Sequence, residues 1–320
     1  MRSRRTNFRG VFIKNLRIKG FGFGLQVLCP ARICGQEGRK EDFMRVYYCF
    51  PGGKAKALTM SYDDGKKEDV RLVEIFNRYG IKGTFNINYG LMNENHTERL
   101  EKQQLVELYK GHEIATHSYT HPTIARCPLM EAAAEILEDR KGLESLTGYP
   151  VRGHAYPNGS YSQEIKELFQ KLGIAYGRVV ECVDDYALPE DPMEWHPTCH
   201  HNDAGLMEKA EFFAGFSKKQ YWKLMYVWGH SYEFEKDGNW NVIEEFCEYM
   251  GGREDIWYAT NIEIIDYRNV CRNLQFTADG TGVYNPSAAG AWLAVDDERV
   301  VEVKGGTFVR LADGNIWENR

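Results

Sequence analysis

The sequence has no CxxC pair, no long apolar run and no low-complexity stretch, and each absence removes a class of protein. Its eight cysteines are scattered over 320 residues, a spacing that supports neither a zinc ribbon nor a disulfide framework. Isolated cysteines of this kind are usually buried thiols, which fits a reducing compartment. No stretch approaches the length that a membrane-spanning helix needs.

The first 43 residues differ from the rest of the chain in charge. They hold ten Arg or Lys against three acidic residues, so the remainder is more acidic than the net charge of −6 for the whole chain indicates. An acidic body argues against nucleic acid as a partner. Residues 21–28 are apolar but short, interrupted by glycine and without a small-residue cleavage site, so they make a poor signal peptide. We predict a basic, disordered segment over 1–43 and a cytoplasmic location, with export as the alternative.

From residue 44 onward, short apolar strands alternate with amphipathic helices. This alternation predicts parallel βαβ units, and their number within about 230 residues predicts an α/β fold, a deformed (β/α) barrel of about seven parallel strands. Residues 44–275 would form the barrel. Residues 276–320 change to short strands with turns at Asp296-Asp297 and Gly305-Gly306, which predicts a small β-rich C-terminal extension. In a parallel barrel, the chemistry is found at the carboxyl ends of the strands.

Two adjacent aspartates, Asp63 and Asp64, follow the apolar strand in SYDDG. Neighbouring side chains of a strand point to opposite faces, so the pair is not simply one solvated polar face. The two aspartates lie either in a turn or where a strand ends in a site. Further along, GHEIATHSYTHP places His117 and His121 four residues apart, on one side of a turn. Two histidines and one carboxylate with an open fourth position form the ligand set of a catalytic zinc site.

Four motifs in chain order, SYDDG, HSYTH, AYPNGSY and VWGHS, resemble those of the polysaccharide deacetylase (NodB homology) family, carbohydrate esterase family 4, over residues of about 50–265. The resemblance implies a hydrolase that removes acetyl groups from N- or O-acetylated carbohydrate. It implies that Asp63 is the general base, and that Asp64, His117 and His121 bind a divalent metal. The expected metal is zinc, with cobalt, nickel or manganese as alternatives.

The later motifs of the resemblance add further residues. Pro157 and Asn158 match the third motif, which implies that the Asn158 N–H faces the oxyanion and that Tyr156 lies beside the substrate. Trp195 would form a wall of the acetyl pocket. The arginine that the family places near the base is represented by Arg152, further upstream than usual.

The fifth motif implies that His230 is the general acid. Glu233 is a candidate to orient it, with a solvated glutamate as the equal alternative. His200 and His201 could line the site, although surface or core histidines account for them as well.

Two other functions remain open from the sequence. One keeps the fold and the metal but acts on a small amide or cyclic ureide; the other is a non-catalytic carbohydrate-binding protein. The presence of Asp63, both metal-site histidines and His230 argues against the second, because a binding module needs no general base. The sequence gives no prediction of oligomeric state.

Overall fold

The computed structural model describes residues 44–92, 98–297, 299–313 and 316–317, so the predicted basic segment 1–43 lies outside the described residues. The strands are β1 (Val46–Cys49), β2 (Lys56–Asp63), β3 (Gly83–Ile87), β4 (Glu113–Thr116), β5 (Gly153–Ala155), β6 (Tyr176–Arg178), β7 (Cys199–His200), β8 (Lys223–Gly229), β9 (Ile256–Tyr258), β10 (Gln275–Phe276), β11 (Gly282–Tyr284), β12 (Ala291–Val295), β13 (Arg299–Val303), β14 (Phe308–Arg310) and β15 (Ile316–Trp317). The α-helices are α1 (Asp69–Tyr79), α2 (Leu105–Leu108), α3 (Leu129–Thr147), α4 (Gln163–Lys171), α5 (Leu206–Gly215), α6 (Ser231–Asp237), α7 (Trp240–Met250) and α8 (Asn261–Arg272).

The central feature is a curled sheet of parallel strands in the order β6-β5-β4-β3-β2-β8-β7, with β9 pairing the first residues of β2. The prediction of a deformed barrel with about seven parallel strands is confirmed. Residues 195–200 nearly close the barrel, because Trp195 pairs with Arg178 at one edge while Cys199 pairs with Val227 of β8 at the other.

The hydrophobic pattern explains why these segments form strands and helices. All eight residues of β2 are buried, as expected for a parallel strand covered on both faces. The helix α8 begins with a capping box in which Thr260 and Glu263 each satisfy the other's backbone N–H. Inside the barrel, the indole of Trp195 packs edge-on against Tyr176 and Tyr226, at ring-centroid distances of 5.6 and 4.9 Å.

The C-terminal strands form two antiparallel sheets, β1-β12-β13 and β10-β11-β14-β15. The strand β1 therefore belongs with the C-terminal strands and not with the barrel, so starting the barrel at residue 44 was wrong. The sequence could not show this pairing, because the partner of β1 lies near the other end of the chain. Leu293 and Val301 of these sheets share one hydrophobic cluster with Ile264 of α8 and Trp195 of the barrel. The extension is thus packed onto the barrel.

Candidate active site

The register of the parallel strands brings polar side chains together at one edge of the barrel. Asp63, the last residue of β2, pairs with Asn86 of β3. Thr116 ends β4, so His117 follows at the same level. Arg178 ends β6, and His230 follows the last residue of β8. Because the strands are parallel, all these side chains lie at their carboxyl ends, where the sequence places the chemistry.

Asp63 lies at the centre of this group and is almost fully buried. Asn86 donates from Nδ2 to Asp63 Oδ1 over 2.8 Å, and Arg178 donates to Oδ2. The Nε2 atoms of His117 and His230 lie 3.8 and 3.9 Å from that same oxygen. Burial by itself would raise the pKa of Asp63, but the positive field of Arg178, supported by the two histidines, holds it well below the usual range. The carboxylate is therefore ionised.

The arginine beside Asp63 is Arg178, and the expectation that Arg152 supports Asp63 was wrong. Arg152 lies at the surface, where it forms a bidentate pair with Asp266 at 3.0 and 2.6 Å. Arg178 is fully buried, and its guanidinium lies 4.3 Å from the ring centroid of Trp228. The signal that could have identified it is a charged residue at the end of the apolar strand in IAYGRVV.

Asp64 turns away from Asp63, because its backbone adopts a left-handed conformation at φ 81°. Its Oδ1 lies 3.9 Å from His121 Nε2. One potential ligand atom from each of Asp64, His117 and His121 lies within 4.8 Å of the others. Arg99 stabilises the turn by donating a hydrogen bond to the backbone carbonyl oxygen of Asp64. The structure thus brings together the three residues that the sequence predicts as metal ligands.

The protonation and orientation of the His117 imidazole suit a metal ligand. Its Nδ1 donates to the carbonyl oxygen of Ala155 over 2.8 Å, and since a carbonyl only accepts, the proton resides on Nδ1 and Nε2 keeps a free lone pair. Burial lowers the pKa of His117 to about 4, against the opposing effect of the nearby aspartates. The backbone N–H of His117 is shared between the carbonyl oxygen of Ile87 at 2.9 Å and Asp139 of α3 at 3.1 Å. A neutral, oriented imidazole beside a carboxylate fits a divalent cation.

His230 faces Asp63 from the other side. It is the residue immediately before α6, and its backbone N–H donates to Glu233 Oε2 over 3.2 Å. Its Nδ1 lies 3.4 Å from Glu233 Oε1. Burial lowers the pKa of His230, but the contact with Glu233 and the charge of Asp63 outweigh it, so the net shift is upward. Glu233 is thus engaged with His230, and the alternative of a solvated glutamate was wrong.

Two further histidines contact the same glutamate. His200 Nε2 and His201 Nε2 lie 3.3 and 3.2 Å from Glu233 Oε2. His201 is fully buried, with its ring stacked between Tyr62 and Phe234 at centroid distances of 5.6 and 4.1 Å. Both histidines therefore adjoin the site through Glu233.

Several residues predicted to touch substrate lie elsewhere. Tyr156 is buried, donates from its hydroxyl to the carbonyl of Met193 over 2.9 Å and stacks on Phe169. Trp195 fills the barrel interior, as described above. Both predictions were wrong, because proximity in sequence to a motif does not determine which face of the chain a side chain occupies. Pro157 is buried, and Asn158 is exposed with a left-handed backbone at φ 57°; its role as oxyanion donor stays a prediction.

Known proteins resemble this chain in sequence and in fold. Residues 51–177 match the family model described as polysaccharide deacetylase. This part of the chain is similar to that family. The chain is 26% identical over 114 residues to a peptidoglycan-N-acetylglucosamine deacetylase of Listeria monocytogenes, covering 35% of this chain and 23% of that protein. It is 24% identical over 123 residues to a chitooligosaccharide deacetylase of Bradyrhizobium, covering 38% and 54% respectively.

A solved structure also shares the fold of the barrel. A polysaccharide deacetylase candidate from Mycobacterium smegmatis superposes with a TM-score of 0.53 at 16% identity, over 70% of this chain and 93% of that one. At this identity the likeness concerns the fold alone. The aligned part spans between a quarter and about half of the curated relatives' length. Among the described residues, no helix combines the length and apolarity that crossing a membrane requires.

Proposed function

We propose that this protein is a metal-dependent hydrolase that removes acetyl groups from N- or O-acetylated carbohydrate. The observation that carries the proposal is the position of Asp63, whose Oδ2 lies 3.8 Å from His117 Nε2 on the metal-site side and 3.9 Å from His230 Nε2 on the other. A base between a cation site and a second titratable group is an arrangement that supports metal-assisted hydrolysis of an amide or ester.

Asp64, His117 and His121 would hold the cation. When bound, a divalent cation would supply Lewis-acid polarisation of the acetyl carbonyl and would make water more acidic, so that hydrolysis proceeds at neutral pH. Zinc suits the two imidazoles and one carboxylate best, and cobalt, nickel or manganese accept the same ligands.

The proton transfers are assigned to Asp63 and His230. Asp63 takes the proton of the attacking water as its oxygen forms a bond to the acetyl carbon. The bond from that carbon to nitrogen or oxygen of the sugar then breaks, and His230 gives a proton to the leaving atom. An amine leaves poorly without this proton, so the upward shift of the His230 pKa favours the acid role. The Asn158 N–H is the proposed donor to the oxyanion.

Acetylated sugars are the proposed substrate class because of the proteins that this chain resembles. The curated relatives are named for deacetylation of peptidoglycan N-acetylglucosamine and of chitooligosaccharides.

The test is acetate release by the metal-loaded protein from N-acetylglucosamine oligomers and from acetylated xylan. We expect release from at least one of them, and loss of release in Asp63→Asn. Calorimetry should find metal binding retained in Asp63→Asn and lost in Asp64→Asn. A wild-type protein that binds metal but releases no acetate from either polymer would refute the sugar deacetylase function, and loss of metal binding in both variants would refute the division of labour between the aspartates.

A further inference from the structure

The cluster of His200, His201 and Glu233 has no assigned role. Its potential ligand atoms also lie within 4.8 Å of one another, so a second metal site is the first interpretation to consider. The hydrogen bonding of His200 argues against it. The backbone N–H of Asn202 donates to His200 Nδ1 over 3.2 Å, so Nδ1 carries the lone pair and Nε2 carries the proton. A protonated Nε2 cannot bind a cation, and it faces Glu233 as a donor.

The two oxygens of Glu233 have different surroundings. Oε2 is approached by His200 Nε2, by His201 Nε2 and by the backbone N–H of His230, at 3.3, 3.2 and 3.2 Å. Oε1 faces His230 Nδ1 at 3.4 Å. The backbone N–H of His230 donates a hydrogen bond to Oε2, and the two imidazole Nε2 atoms lie close to that same oxygen, while Oε1 is directed at the ring of His230.

We propose that His200 and His201 are positioning residues, which hold Glu233 so that its free oxygen fixes the orientation of the His230 ring. With Nδ1 facing Glu233 Oε1, the ring presents Nε2 to the reaction centre beside Asp63. The interpretation of His230 as the acid rests on the proposed function. The geometry of the four side chains does not depend on it.

The position of His201 is itself fixed by its surroundings. The ring lies between Tyr62 and Phe234, and a Cβ added at Gly229 would come within 2.0 Å of His201 Nδ1. Only glycine therefore allows the last residue of β8 to pass the imidazole at this distance. Burial lowers the pKa of His201 to about 4, so the ring is neutral and can place its one proton on Nε2, toward Glu233.

The test compares two acetyl substrates in variants of His200, the more exposed of the pair. His200→Leu removes the donor, whereas His200→Gln keeps an amide N–H near the position of Nε2. His196, part-exposed and bonded through Nδ1 to the carbonyl of Glu181, provides the control His196→Leu. One substrate is an N-acetylglucosamine oligomer, whose amine must be protonated to leave. The other is 4-nitrophenyl acetate, whose phenolate leaves without a proton.

We expect His200→Leu to lower kcat on the oligomer by about 10-fold or more without raising KM, because general acid catalysis typically contributes 10²–10⁴-fold. Activity on 4-nitrophenyl acetate should be retained, His200→Gln should restore much of the loss, and His196→Leu should behave as wild type. Equal losses on both substrates would show a general structural defect and overturn the proposal.

A second readout does not need activity. The ¹⁵N chemical shifts of the His230 ring report which nitrogen carries the proton, and we expect a protonated Nδ1 whose signal shifts in Glu233→Gln and in His200→Leu. Unchanged His230 signals in both variants would refute the positioning role. If the wild type lacked deacetylase activity but its His230 signals responded as expected, the proposed function would fail and the positioning network would stand.

Discussion

The sharpest test of the site concerns the buried pair of Asp63 and Arg178. Arg178 is fully buried and donates to Asp63 Oδ2. In Arg178→Met the carboxylate would retain the donor Asn86 at 2.8 Å but would lose the cation that compensates its charge. The hydrophobic methionine would still fit beside Trp228, so the substitution removes charge more than volume.

The expected loss of unfolding free energy follows from the burial of the Asp63–Arg178 ion pair. Removing one partner of a buried ion pair leaves an uncompensated charge and typically costs about 3–5 kcal/mol of unfolding free energy. Arg152→Met provides the matched control, since Arg152 and Asp266 are 38% and 47% exposed. An exposed pair of this kind contributes about 0–1 kcal/mol. Both substitutions replace arginine with methionine. The loss of unfolding free energy should nevertheless be several-fold larger at Arg178 than at Arg152.

The assay is urea unfolding followed by circular dichroism, with a chelator present so that metal binding does not add to stability. The double variant Asp63→Asn with Arg178→Met removes both charges and should recover part of the loss, with a coupling free energy of about 0.5–3 kcal/mol. Equal effects of Arg178→Met and Arg152→Met, or strictly additive effects of the two substitutions at the buried pair, would refute the assignment of Arg178 as the counter-charge of Asp63.

Three further predictions concern the surroundings of the site. Asp139→Asn, which weakens one of the two acceptors of the His117 backbone N–H, should lower metal affinity by up to about 10-fold in calorimetry; unchanged affinity would contradict this role. Gly229→Ala should cost about 1–3 kcal/mol in urea unfolding because the added Cβ meets His201, whereas Gly215→Ala, with no atom near its Cβ position, should be neutral or stabilising. Burial raises the pKa of Glu113 to about 7 from 4.5, so the folded state retains a proton that the unfolded chain has lost. The contribution of Glu113 to stability should therefore fall by up to about 3 kcal/mol as pH rises from about 4.5 to 7, and Glu113→Gln should reduce the pH dependence by that share; an identical slope in the variant would refute it.

The sequence predicted the parts of the site that depend on local pattern. SYDDG marks the end of a buried strand, and the HxxxH spacing marks two imidazoles on one turn. The structure places Asp64, His117 and His121 together because adjacent parallel strands end at one edge. These are short-range consequences of strand geometry, whereas the assignment of Asp64 as the metal ligand and Asp63 as the base came from the resemblance to the deacetylase family.

Other parts depend on long-range packing and could not be predicted from the sequence. Arg178 reaches Asp63 from β6, which is separated from β2 by three intervening strands, so only the curl of the barrel brings them together. Trp195 and Tyr156 lie next to motif residues in sequence. In the structure Trp195 packs in the barrel interior and Tyr156 packs against α4. In each case the position of the side chain depends on how segments distant in sequence pack together in three dimensions.

The pairing of β1 with β12 has a consequence for the order in which the chain folds. Arg45 donates its backbone N–H to Asp296, 251 positions further on, and the β1 ladder lies between these ends. During synthesis, the parallel strands and their helices can assemble while β1 still has no partner, and loop closure over such a distance is slow. We expect β1 to be the last strand to dock and the first to exchange its amide hydrogens, so a protein shortened before β12 would keep the site but expose a strand edge open to association between molecules.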